Sequence, residues 1–110
     1  MNKMRRKEIM LAIKRLNSLS VKIETDGLES HVDELNDIIS DIQMILDEES
    51  DYMENIPENL QGGERYATAE EACENLEEAV DTLEYISTDD SIESVVSEID
   101  KAMDYLSDAM

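Results

Sequence analysis

The chain has one cysteine and one histidine, two residue types that often act as a nucleophile or as an acid–base catalyst. Cys73 stands in an acidic, Ala-rich stretch, and a nucleophile needs a base within hydrogen-bond reach. Nearby carboxylates raise rather than lower a thiol pKa, so we interpret Cys73 as a small buried side chain. His31 follows Glu29 and precedes Asp33, and we expect it to be exposed. The sequence therefore predicts that the chain is not an enzyme.

Carboxylates are the other groups that could bind a ligand, in this case a divalent cation. Di-iron helical bundles need Glu-x-x-His pairs on two helices, which one histidine cannot supply. The acidic stretch 47–51 lacks the glycine that a calcium-binding loop requires. Neither a phosphate-binding glycine loop nor a zinc or dinucleotide motif is present. We expect no metal site and no cofactor, and a cation-binding protein is the weakest of three function classes.

The carboxylates between residues 70 and 84 follow a regular pattern. Five of them repeat at spacings of four and three, and two lie alongside: Glu70, Glu74, Glu77, Asp81 and Glu84, with Glu71 and Glu78. Such spacings are about 4.5–6 Å along a helix axis, comparable to the few ångströms between phosphates along a duplex strand. Residues 66–100 contain no Lys or Arg. We predict that these seven carboxylates bind a partner, the alternative being a solvated surface that only confers solubility.

Charge is divided between the two parts of the chain. The first 22 residues hold seven of the nine Lys and Arg residues and one carboxylate, a net charge of +6, whereas residues 23–110 carry −26. The acidic body argues against direct binding to nucleic acid or anionic lipid, because phosphate contacts need cations. The basic run Arg5, Arg6 and Lys7 has three interpretations: it pairs with acidic residues of the same chain or a second copy, binds nucleic acid, or binds an acidic partner. We favour the first.

The pattern of apolar residues predicts an all-α fold. Four segments, about 4–24, 28–53, 64–86 and 91–110, have helical spacing, and a Pro/Gly break spans 55–63. Asp26, followed three residues later by Glu29, predicts a capping box that opens the second helix. We expect one domain, 1–110, folded as an antiparallel three- or four-helix bundle. No apolar run approaches the ~20 residues that span a bilayer, so we expect a cytoplasmic protein.

The long second segment has the spacing of a coiled coil. Its apolar seam comprises Leu28, Val32, Leu35, Ile39, Ile42, Leu46 and Met53, widened by Ile38 and Ile45 and interrupted by the polar Glu49. Nearly four heptads of this kind favour self-association, most simply as a homodimer. The sequence therefore leaves open a second function class, a structural or assembly module whose acidity serves solubility only.

One segment resembles a known group of proteins. Residues 47–65, with the core Asn-Ile-Pro-Glu-Asn-Leu-Gln at 55–61, resemble a recurrent segment of small acidic helical proteins encoded by phages and prophages of Gram-positive bacteria. Those proteins also begin with an Arg-Arg-Lys run like residues 5–7 and continue with Glu/Ala/Leu-rich helices like residues 69–83. This chain departs from them by a longer stretch between the basic run and the motif.

The resemblance implies a phage origin and a role in the infected bacterial host. Phages carry small acidic proteins that block host defence nucleases, including anti-CRISPR and anti-restriction proteins. We therefore expect a non-enzymatic DNA mimic that binds and inhibits a host protein with a basic nucleic-acid-binding surface. The expected binding face is the carboxylate set of the third helix.

Overall fold

The computed structural model describes all 110 residues and contains four α-helices and no strand. Helix α1 spans Lys3–Asp26, α2 spans Val32–Glu54, α3 spans Glu64–Glu84 and α4 spans Ile92–Ala109. The predicted all-α bundle is confirmed, with four helices rather than three. None of the helices combines the length and the apolar character needed to cross a membrane.

The four helices form a bundle in which each helix has two neighbours. Helix α1 packs against α2 and α4, and α3 packs against the same two helices from the other side. Short connections make successive helices antiparallel, and the resulting molecule measures 51 × 21 × 18 Å. Helices α1 and α3 therefore lie diagonally opposite each other, with α2 and α4 between them.

Every helix contributes one apolar stripe to a continuous core. The largest of its fully buried apolar side chains are Ile9, Leu16, Leu19, Ile23, Ile38, Ile42, Leu76, Leu83, Val95, Ile99 and Leu106. On α2, Ile38 and Ile45 are more deeply buried than Ile39, so the residues that we regarded as widening the seam lie at its centre. The seam packs against helices of the same chain.

The connection between α1 and α2 differs from the sequence prediction. Helix α1 continues to Asp26, and a 3-10 turn at Glu29–His31 precedes α2, which begins at Val32 rather than near residue 28. Gly27 ends α1 with a φ of 83°, a conformation that glycine adopts at little cost, and its N–H donates to the Ile23 carbonyl. The predicted capping box of Asp26 and Glu29 is wrong, because Asp26 belongs to the last turn of α1.

The remaining connections follow the predicted breaks closely. Between α2 and α3, Pro57 precedes a 3-10 turn at Glu58–Leu60. Helix α3 ends at Glu84, two residues before the predicted end. Helix α4 begins at Ile92, where the Ser91 hydroxyl accepts a hydrogen bond from the backbone N–H of Ser94 and caps the helix.

Candidate functional site

The register of α3 places the predicted carboxylates on its outer surface. The helix buries Ala69, Ala72, Cys73, Leu76, Ala79, Val80 and Leu83 against the core. The seven predicted residues, Glu70, Glu71, Glu74, Glu77, Glu78, Asp81 and Glu84, are all exposed. None of them forms an ion pair with a cation of this chain. We call this set the α3 acidic face.

The position of the basic helix explains why the α3 acidic face has no counter-charges. Helix α1 carries most of the cations and lies diagonally across the bundle from α3. Its surface ion pairs reach only α2, where Arg15 contacts Asp41 and Lys22 Nζ lies 3.3 Å from Glu34 Oε1. Most cations of the chain therefore lie on the side of the molecule opposite the α3 acidic face.

The two cations of the acidic body are also engaged elsewhere. Lys101 Nζ lies 3.1 Å from Oε1 of Glu98 on the same helix. Arg65, at the start of α3, donates from Nη2 to the Tyr52 hydroxyl at 2.9 Å, and its guanidinium lies 5.8 Å from the centroid of the same ring. Neither cation neutralises a member of the α3 acidic face.

An open groove continues the α3 acidic face onto α4, near the loop that joins the two helices. Its volume is about 470 Å³, and its lining consists of Glu78, Asp81, Thr82, Tyr85, Asp90, Ser94 and Glu98. Four of these residues are carboxylates. Tyr85 is 85% exposed, the highest value among the large apolar and aromatic side chains that face solvent. The groove therefore offers an accessible aromatic ring beside several negative charges.

Tyr85, Asp90, Ser94 and Glu98 were not among the predicted site residues. A sequence signal for them exists, because two antiparallel helices joined by a short loop bring residues equidistant from the loop centre together. On that basis Glu78 lies opposite Glu98, and Tyr85 lies opposite Asp90. The spacing of carboxylates describes one helix at a time, so it does not predict a groove between two helices.

Cys73 is buried on the inner surface of α3, as interpreted from the sequence. Burial raises the pKa of its thiol from the ordinary 9.0 to about 11, and the charges of Glu49 and Glu77 add to the increase. The charge of Arg5 acts in the opposite direction. The thiol is therefore protonated at neutral pH and unsuited to nucleophilic attack.

The predicted basic run separates into one buried and two exposed residues. The Arg5 side chain is 10% exposed and its Nε donates to Oε1 of Glu49 at 3.1 Å, while the Glu49 side chain has no exposed surface. The Arg5 guanidinium also lies 5.5 Å from the centroid of the Tyr52 ring. Arg6 and Lys7 are exposed and form no ion pair. Only Arg5 pairs with the acidic body of its own chain.

The expectation of an exposed His31 is wrong, because its side chain is only 16% exposed. Its Nε2 lies 3.1 Å from Asp26 Oδ2, and its Nδ1 lies 3.9 Å from Glu34 Oε2. The imidazole thus links the end of α1 to the beginning of α2, a position that local sequence context does not reveal. The structure assembles no group of three or more His, Cys, Asp or Glu side chains suited to holding a metal ion.

Comparison with protein-family models, with curated proteins and with solved structures finds no match to this chain.

Proposed function

We propose that this chain is a non-enzymatic phage protein that binds a nucleic-acid-handling defence protein of its bacterial host, as anti-CRISPR and anti-restriction proteins do. The α3 acidic face would occupy the partner's cationic channel in place of nucleic acid. The observation that carries the proposal is the presence of seven exposed carboxylates on one helix without a single cation paired to them.

The charge density of the α3 acidic face supports mimicry of a phosphate backbone. From Glu70 to Glu84 the helix advances about 21 Å, so the seven carboxylates amount to about one charge per 3 Å of axis. One strand of a DNA duplex carries one phosphate per about 3.4 Å of axis. A channel whose Lys and Arg side chains are spaced for one strand would meet a similar line of charge on α3.

Solubility alone is a weaker explanation for this arrangement. Like charges three or four residues apart destabilise a helix, whereas Glu and Lys at the same spacing stabilise it and keep it soluble. Most of the chain's cations lie on the opposite side of the bundle, and Arg65, the one cation of α3, is engaged with Tyr52. An uncompensated surface is therefore costly to the fold, and a complementary basic partner would relieve the repulsion.

The groove between α3 and α4 would add a directional contact to this electrostatic attraction. Arg side chains are common in nucleic-acid channels, and a guanidinium stacks favourably on an accessible tyrosine ring. Tyr85 offers that ring in a groove that Asp81 and Asp90 also line. We propose that an Arg of the partner lies over Tyr85 and pairs with the neighbouring carboxylates.

The test begins with capture of the partner from a bacterial lysate, followed by inhibition of its nuclease activity. The triple variant Glu74→Gln, Glu77→Gln and Asp81→Asn should raise the inhibitory concentration by at least about tenfold at low salt, because three charges of the docking face are lost. The inhibition by the original chain should itself weaken as salt rises. DNA or RNA and this protein should exclude each other from the partner.

A second triple variant provides a matched control. Asp37→Asn, Glu48→Gln and Asp51→Asn remove the same charge from exposed positions of α2 and should leave inhibition nearly unchanged. If both triple variants lost inhibition equally, the net charge of the protein, and not the α3 acidic face, would be responsible for the inhibition. Simultaneous binding of the protein and nucleic acid in one channel would rule out mimicry.

Two other expectations from the sequence have no further support in the fold. The α2 seam, which motivated both a homodimer and a structural coiled-coil module, packs inside one chain. The homodimer stays a prediction, to be tested by light scattering at micromolar concentration. No observation favours the structural module over inhibition of a basic partner.

A further inference from the structure

The outer surface of α1 carries unpartnered apolar side chains next to unpaired cations. Met10 and Leu11 are 60% and 57% exposed. Together with Ile13 of α1 and Met103 and Met110 near the end of the chain, they line a groove of about 600 Å³ between α1 and α4. Lys7, Lys14 and Asn17 complete its lining. We call this the α1 groove.

Four cations of α1 form two pairs that lie on different sides of the helix. Arg15 and Lys22 face α2 and are paired with its carboxylates. Lys7 and Lys14 line the α1 groove, are exposed and form no ion pair. They are seven residues apart, hence on the same side of α1 and about 10.5 Å apart along its axis. Met10 lies between them on the same surface.

We propose that the α1 groove binds an acidic amphipathic helix of a partner protein. The apolar residues of such a helix would contact Met10, Leu11 and Met103, and flanking Glu or Asp residues would pair with Lys7 and Lys14. Flexible methionine side chains adapt to varied apolar surfaces, which suits helix-in-groove recognition. This contact does not involve the α3 acidic face. Here the chain contributes positive charges and the partner contributes negative ones.

Charge complementarity selects this occupant over two others. A second copy related by a two-fold axis through the α1 groove would place Lys7 and Lys14 near their own equivalents, and the repulsion would oppose a dimer. A flat anionic membrane would meet the exposed carboxylates of α4, including Asp104 and Asp108, as well as the groove. A single helix covers less of the surface around the groove than a flat membrane does.

The test uses three synthetic helical peptides of about 18 residues, long enough to hold helical structure. They share one Leu stripe and differ only in carrying Glu, Gln or Lys at the flanking positions. By fluorescence anisotropy at low salt, we expect saturable binding of the Glu peptide and binding of the Gln peptide weaker by about tenfold. The Lys peptide is attracted to the acidic surfaces elsewhere on the chain, so its binding should not change in Met10→Ser with Leu11→Ser. Failure of the Glu peptide to bind, or equal binding of all three, would overturn the proposal.

Variants of the protein locate the binding surface. Lys7→Gln with Lys14→Gln, and separately Met10→Ser with Leu11→Ser, should each weaken binding of the Glu peptide by at least about tenfold. Lys22→Gln with Lys101→Gln removes the same charge outside the groove, and Val21→Ser removes an exposed apolar side chain outside it. Both controls should bind as the original chain does, with circular dichroism verifying that every variant folds. Equal losses in the control variants would contradict the assignment.

The alternative occupants give distinct results. A dimer seen by light scattering and abolished by Met10→Ser with Leu11→Ser would assign the groove to a second copy and overturn the proposal. Cosedimentation with phosphatidylglycerol vesicles that depends on Lys7 and Lys14 would assign the α1 groove to a membrane and would also overturn the proposal. Neither result involves the α3 acidic face. The proposal for the α1 groove can therefore fail while the nuclease experiment succeeds, and the reverse.

Discussion

Arg5 and Glu49, 44 residues apart in the chain, form a buried hydrogen-bonded ion pair between α1 and α2, with 3.1 Å between Nε and Oε1. The second oxygen of Glu49 accepts no hydrogen bond and lies 3.7 Å from the amino group of Met1. A buried charge is tolerated when it is paired, and loss of one partner leaves the other uncompensated. The Glu49 carboxylate thus depends on Arg5 for its stability in the interior.

We predict that Arg5→Met lowers the free energy of unfolding by about 3 kcal/mol or more, because Glu49 would remain buried without its main partner. The double variant Arg5→Met with Glu49→Leu should recover most of that loss, since no unpaired charge remains. Urea unfolding measures both, with the exposed Arg6→Met as the control. Similar losses in Arg5→Met and Arg6→Met would show that the buried pair is not responsible.

The cations of α1 provide a matched test of local ion pairing. Arg15→Gln with Lys22→Gln removes the two surface cations paired with α2, whereas Arg6→Gln with Lys7→Gln removes two unpaired ones and changes net charge equally. We predict a lower melting temperature for the first double variant at low salt, the difference being small because exposed pairs contribute about 0–1 kcal/mol each. The difference should shrink at high salt. A larger decrease in melting temperature for Arg6→Gln with Lys7→Gln would show that the ion pairs with α2 are not what stabilises the fold.

Neutralising part of the α3 acidic face should stabilise the protein. In Glu74→Gln, Glu77→Gln and Asp81→Asn the repulsion between neighbouring carboxylates decreases, while Gln retains good helix propensity. Thermal unfolding followed by circular dichroism should give a higher melting temperature, and the increase should be larger at low salt than at high salt. A lower melting temperature at low salt would mean that these carboxylates have stabilising contacts that the fold does not reveal.

The buried thiol makes stability depend on pH in the alkaline range. Because the folded-state pKa of Cys73 is raised from 9.0 to about 11, its contribution to stability is fully present below about pH 9 and is lost as pH rises towards 11. We predict that the unfolding free energy of the original chain falls relative to that of Cys73→Ala over this range. Guanidinium unfolding of both chains between pH 8 and 11 measures the difference, and parallel curves would contradict a raised pKa.

Gly27 and Gly62 offer a comparison of backbone conformation. A Cβ at either position meets no atom within 4 Å, but only Gly27 has a positive φ, 83° with a ψ of 170°. This region of backbone conformation is nearly restricted to glycine, so Gly27→Ala should cost about 1–3 kcal/mol of unfolding free energy. Gly62→Ala should be neutral or slightly stabilising. Equal effects of the two substitutions would show that backbone strain at residue 27 is unimportant.

The sequence predicted the outer and inner surfaces of α3 well, because helical periodicity alone decides which residues face the core. Cys73 was correctly placed inside, and the seven carboxylates were correctly placed on the exposed surface. Glu49 was recognised only as a polar interruption of an apolar seam. Its partner Arg5 was grouped with Arg6 and Lys7, since spacing along a helix does not reveal which residue it meets on another helix.

The α1 groove escaped prediction for a related reason. Met10 and Leu11 had no special status in the sequence. Helical periodicity identifies the apolar residues that face the core. Apolar residues outside that pattern form a groove only if two neighbouring helices bring them side by side. That adjacency depends on the order of the helices around the bundle, and a monomer and a dimer would arrange it differently.

The diagonal placement of α1 and α3 sets the helix with most of the cations opposite the α3 acidic face across the short dimensions of 21 and 18 Å, an uneven charge distribution with a dipole along that diagonal. In the field of a basic partner such a dipole experiences a torque, which turns the carboxylate side forward before contact is made. Encounters would then begin in a limited range of orientations, and the α1 groove would point away from the partner at the moment of docking. A protein of this kind can hold one molecule on its leading side and remain accessible to another on its trailing side.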